Sequence, residues 1–126
     1  MNSLILTLDA GAGCCLPIAY QQLTQGALYA AWRGSYPQLH DEGFAGDGQT
    51  FRLFTFGPLE GRYRVQGNEI TFTGLVQLEV RSPVEDLLYA LGKSLTGAGA
   101  LRLGRCVLPL RDLRSEDHYW LSLIHI

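Results

Sequence analysis

The run from Glu69 to Arg81 constrains this chain most. Ile70, Phe72, Val76, Leu78 and Val80 fall on one side of a period-two pattern, while Glu69, Thr71, Thr73, Gln77, Glu79 and Arg81 fall on the other. Such alternation fits a strand with one face on a core and one face polar. Gly74 is in phase with the apolar set, where a residue without a side chain marks a bulge or bend. Directly afterwards, Ser82-Pro83-Val84-Glu85 reads as a capping box with proline at the first helical position. Val84, Leu87, Leu88, Leu91 and Leu95 then recur at helical spacing. Glu85 and Asp86 at the start and Lys93 near the end complement the helix dipole, and Gly97 and Gly99 stop the helix.

The flanking segments complete the pattern. From Ser3 to Leu8, Leu4, Leu6 and Leu8 alternate with Ser3, Ile5 and Thr7, which predicts a first strand, and a small-residue turn follows. Between Ile18 and Arg33, Tyr20, Leu23, Ala27, Ala30 and Ala31 predict a helix that Gly34 ends. Counted at 100° per residue, Tyr29 falls opposite that stripe and is expected outside the core. A glycine-rich loop from Leu39 to Thr50 leads into an aromatic strand, Phe51 to Phe56. Pairing breaks at Gly57-Pro58, resumes from Arg62 to Val65, and turns at Gln66-Gly67-Asn68. Leu101, Leu103, Cys106, Leu108 and Leu110 predict a fourth strand with an irregularity at Gly104. The order β-α-β-β-α-β is that of an α+β, ferredoxin-like (RRM-like) fold: a four-stranded antiparallel sheet with two helices on one face. That architecture hosts many unrelated activities and names none of them.

Composition narrows the classes. A chain of 126 residues is one domain able to bury a core without metals or disulfides. Its net charge of -2 gives no overall attraction for a polyanion, so any nucleic-acid contact rests on local charge. Arginine supplies every cation except Lys93 and is the better bidentate phosphate ligand. Arg62, Arg64, Arg81, Arg102 and Arg105 form a candidate RNA-binding set, or a solvated surface. Cys14, Cys15 and Cys106 make no zinc or redox motif and fit a reduced, cytoplasmic setting. The N-terminus lacks a basic leader, and the uncharged stretch from Ala10 to Trp32 is too polar to span a membrane. His40-Asp41-Glu42 is too contiguous to converge on a metal, so no metal or cofactor is expected.

Four stretches, in order, carry a resemblance: Leu16-Pro-Ile-Ala-Tyr20 ahead of Gln25-Gly-Ala-Leu-Tyr29; Leu39-His-Asp-Glu-Gly43; Phe51-Arg-Leu-Phe-Thr-Phe56; and Ser82-Pro83 through Leu101-Arg-Leu-Gly104. Together they resemble the N-terminal domain of the CRISPR-associated protein 6 endoribonucleases, over nearly the whole chain up to Leu113. Members of that family resemble a duplicated ferredoxin-like protein of about twice this length. The division implied is an N-terminal domain over 1–113, with 114–126 the truncated start of a second domain or a non-native tail. His118 and His125, in that tail, are read as incidental.

The resemblance implies metal-independent cleavage of CRISPR precursor RNA within its repeats. A ribose 2′-hydroxyl attacks the adjacent phosphate, leaving a cyclic phosphate and a free 5′-hydroxyl. His40 matches the family's catalytic histidine, and imidazole can serve as acid or base; by its residues alone it is equally a solvated loop histidine. Tyr29 matches a family tyrosine that assists the reaction. Arg52 stands where many members carry lysine and would stabilise phosphorane charge, or is a plain strand arginine. The expectation is that the three side chains open onto one groove. CRISPR repeat RNA is the implied partner, with CRISPR effector-complex subunits and a homodimer as further candidates. A non-catalytic RNA-binding subunit of a CRISPR complex and a ferredoxin-like assembly domain are the rival readings.

Overall fold

A 14-residue strand, β5 (Glu69–Ser82), forms the spine on which the other strands pair. The computed structural model describes residues 2–35 and 54–117. Within them the order is β1 (Asn2–Asp9), β2 (Cys14–Pro17), α1 (Gln21–Ser35), β3 (Thr55–Phe56), β4 (Glu60–Gln66), β5, α2 (Glu85–Ala98), β6 (Ala100–Leu103) and β7 (Cys106–Asp117). β1 and β2 run antiparallel along one edge of β5, as Leu4↔Val80 and Cys14↔Phe72 show, and β3 and β4 run along the other. β7 pairs with β1, and β6 closes a hairpin with β7. The lateral order, β4-β5-β1-β7, is the ferredoxin-like arrangement expected from the sequence, but the sheet has seven strands among the described residues rather than four.

The additions have local causes. At Gly74 (φ +69) β5 bends, and its backbone exchanges hydrogen bonds with the β1–β2 turn, Ala10 N to Gly74 O at 2.7 Å and Gly74 N to Gly11 O at 3.0 Å. At the same bend the β1 edge gives way to β2, and on the other edge the β4 register shifts between Gly61 and Arg62. The expected fourth strand is two strands, because Gly104 (φ +59) supports a turn rather than a kink. β7 passes Leu113 and stays paired with β1 through Asp117↔Asn2.

The apolar faces meet as the alternation requires. Leu4, Leu6 and Leu8 of β1 and Val76, Leu78 and Val80 of β5 are all buried, under both helices. The stripe of α2 holds, with Leu87, Leu88, Leu91 and Leu95 buried and Gly99 (φ 75) as a left-handed C-cap donating to Leu95 O at 2.7 Å. Its start differs: Val84 is the N-cap, Ser82 Oγ accepts from Val84 N at 2.9 Å, and helical residues begin only at Glu85. Lys93 also falls short of the last turn.

The larger correction concerns α1. Its buried positions are Thr24, Leu28, Tyr29 and Trp32, while Ala30 is exposed. The helix sits one position round from the alanine stripe because Leu28 and Trp32 bury far more surface than alanines can. Trp32 is fully buried, and its Nε1–H donates to Leu87 O at 2.8 Å; Ser94 Oγ donates to Ala31 O at 2.7 Å. These two bonds tie α1 to α2.

Candidate nucleic-acid interface

The face of the sheet turned away from the helices is polar, as the odd positions of β1 and β5 require. Cross-strand partners share a face, so the pairs Arg62↔Thr73, Arg64↔Thr71, Thr55↔Arg81, Ile5↔Glu79 and Ile5↔Arg114 place these residues on that open side. Its charges sort into two groups. Arg81 grips Glu79 with Nε at 3.0 Å and NH2 at 3.1 Å, Arg111 holds Asp9 at 3.0 Å, and Arg114 holds Glu116 at 3.1 Å. The Gly11 N–H, at 2.8 Å, and Arg111 hold the Asp9 carboxyl below the usual carboxylate range. Glu79 likewise raises the Arg81 guanidinium.

Arg62 and Arg64 belong to the other group. Every residue of β4 is exposed, and neither arginine makes an ion pair among the described residues. Spaced two residues apart on a strand, they lie roughly 7 Å from each other along one face. Thr71 and Thr73 place hydroxyls beside them. On the reverse of β4, Tyr63 is 60% exposed with its ring 6.0 Å from that of Phe72. Arg102, on β6, and Arg105, in the β6–β7 turn, lie at the opposite edge of the sheet. The five-arginine set is therefore divided: one pair has no ion-pair partner among the described residues, one member is paired with a carboxylate, and two are remote.

Tyr29 is not where the helical wheel put it. It is 8% exposed, with its ring edge-on to Phe54 at 5.4 Å and to Trp32 at 6.4 Å. Trp32 and Phe54 are themselves 4.6 Å apart. The rotation of α1 that buries Trp32 carries Tyr29 inward with it. Burial raises the Tyr29 hydroxyl above its ordinary pKa against the opposing hydrogen bond with Gln25, so it stays protonated at neutral pH. His40 and Arg52 lie outside the described residues. The segment that carries them leaves from the end of α1 and returns at Phe54, on the aromatic cluster that includes Tyr29.

One feature of this face was missed in the sequence. Thr55, Gly57, Pro58, Glu60, Glu79 and Arg81 line a cleft of about 310 Å³ where β3 passes into β4. Two bonds fix its rim: Gly57 N donates to Glu79 O at 3.0 Å, and Leu59 N donates to the buried Tyr20 hydroxyl at 3.0 Å. The Gly57-Pro58 break was the only sequence signal for it. No helix among the described residues is long and apolar enough to cross a membrane.

No protein-family model matches the chain, and no curated protein does. Solved structures do. A CRISPR associated protein Cas6 aligns with 21% identity and a TM-score of 0.70 over 92% of this chain and 48% of its own. A RAMP protein binding different RNA substrates aligns with 14% identity and a TM-score of 0.75 over 93% and 49%. A Cas6-related protein from Pyrococcus furiosus aligns with 11% identity and a TM-score of 0.73 over 93% and 48%. The chain thus spans about half the length of each structure it matches. With TM-scores of 0.70 to 0.75 over more than nine tenths of its length, the fold of this chain is that of the Cas6 and RAMP proteins.

Proposed function

We propose that this chain binds RNA through the open face of its sheet, as one half of a metal-independent endoribonuclease that cuts CRISPR precursor RNA within its repeats. The observation that carries the reading is the pair Arg62 and Arg64: without an ion-pair partner among the described residues, exposed, and spaced for consecutive phosphates, on a fold shared with a RAMP protein binding different RNA substrates. The remaining arginines of the face are mostly absorbed by carboxylates, so phosphate affinity concentrates at β4.

Chemistry falls to the segment between α1 and β3. His40 transfers the proton, and Arg52 stabilises charge on the phosphorane. Tyr29 would assist as a protonated phenol, held against Trp32 and Phe54 next to the point where the chain re-enters the sheet. The guide RNA precursor is the substrate, and effector-complex subunits or a second copy are partners to be sought.

The test is incubation of the full-length protein with repeat RNA in EDTA. A 5′ product ending in a cyclic phosphate, lost in His40→Ala, supports the enzyme. Cleavage that persists in His40→Ala removes His40 from the mechanism. A second reading, an RNA-holding subunit that does not cut, draws support from the burial of Tyr29 away from solvent. Binding without any product would favour it.

A further inference from the structure

Taking RNA binding as above, we infer that the cleft between β3, β4 and β5 is a guanine-reading pocket. Its volume of about 310 Å³ sits at the small end of ligand sites. Its charged lining is two carboxylates, Glu60 and Glu79, against one guanidinium, Arg81. That balance repels a phosphate and favours a neutral ligand with hydrogen-bond donors along one edge and acceptors along another.

Guanine is such a ligand. Its N1–H and N2 amino group point the same way and suit a single carboxylate, while O6 and N7 accept from an arginine fork. Glu60, exposed at the start of β4, supplies the carboxylate. Arg81 supplies the fork. Glu79 is the positioning residue: by engaging Nε and one side of NH2 at 3.0 and 3.1 Å it fixes the guanidinium plane and leaves the other terminal N–H groups outside that pairing. Thr55, directly across from Arg81, adds a hydroxyl at the wall. The pocket is preformed, because its rim is pinned by the Gly57–Glu79 and Leu59–Tyr20 bonds. Adenine places an amino donor where guanine has O6 and an acceptor where guanine has N1–H, and pyrimidines have no N7, so specificity follows from the pairing of the two side chains. Phosphate contact at Arg62 and Arg64 lies along the same face and would deliver a strand with one base turned into the cleft.

The experiment uses labelled oligouridine carrying one central guanosine, adenosine or inosine, titrated with the full chain. The guanosine oligomer is expected to bind about tenfold tighter than the adenosine one, with inosine between them because it lacks the 2-amino group. Glu60→Ala and Arg81→Lys should each bring the guanosine-to-adenosine ratio to about one, whereas Arg62→Gln with Arg64→Gln should weaken all oligomers alike and keep the ratio. Equal affinity for guanosine and adenosine oligomers in the unmodified protein overturns the pocket and leaves RNA binding standing. Failure to bind any oligomer overturns both.

Discussion

Replacing Trp32 with phenylalanine probes the joint on which the helical layer depends. The indole is fully buried, and its Nε1–H reaches Leu87 O on the other helix at 2.8 Å. Phenylalanine keeps an aromatic ring against Phe54 but loses that bond, worth about 1 kcal/mol net. The Leu87 carbonyl retains its place in the helical ladder, so the penalty for a wholly orphaned acceptor does not apply. The missing five-membered ring adds about 1 to 2 kcal/mol of lost contact and residual cavity. The sum is about 2 to 3 kcal/mol, which for a domain of this size lowers Tm by roughly 10 °C. Urea titration followed by circular dichroism measures it, with the slope m expected to stay constant. A loss below about 0.5 kcal/mol would show that Trp32 does not bear the α1–α2 contact, and the account of why α1 rotates would go with it.

Other outcomes follow from the same geometry. A Cβ on Gly61 would lie 2.7 Å from Val76 Cγ1 and 2.9 Å from the Leu75 carbonyl, so Gly61→Ala should cost about 1 to 3 kcal/mol; Gly26→Ala, in open space on α1, should instead stabilise by about 1 kcal/mol in the same melts. Buried Cys14 is pushed up to about 12, first by desolvation and then by its hydrogen bond with Cys106. Ellman's reagent near pH 8 should therefore modify exposed Cys15 at once and leave Cys14 untouched until urea unfolds the chain; equal rates for all three thiols would refute this. Because the folded Cys14 pKa exceeds its ordinary value of 9.0, its stabilising contribution is complete below pH 9 and is lost between pH 9 and 12, a fall in the urea midpoint that Cys14→Ala should flatten. Arg62→Gln with Arg64→Gln should reduce the salt slope of single-stranded RNA binding by about 1.4, and an unchanged slope would place the phosphates elsewhere.

The alternation in β1 and β5 and the leucine stripe of α2 were legible because each is a local period: the residues that share a face also recur at fixed spacing. The glycine bend at Gly74 followed from those periods, and the fold class from the order in which they and the remaining elements occur. β2 escaped notice because four residues ending in Pro17 carry no readable period, and the β6–β7 hairpin because one alternating pattern ran across Gly104.

What the sequence by itself determined, then, is which faces are apolar and in what order the strands and helices come. Tertiary structure decided how α1 turns on the sheet, that Tyr29 enters the core, which arginines are paired with carboxylates among the described residues, and that Glu60 and Arg81 meet at one cleft. Each of these depends on partners far apart in the chain, such as Trp32 with Leu87, Tyr29 with Phe54 and Arg111 with Asp9. A period reports only what a residue's neighbours along the chain require, whereas packing volume and ion pairing are settled by whichever distant side chain arrives at the same place.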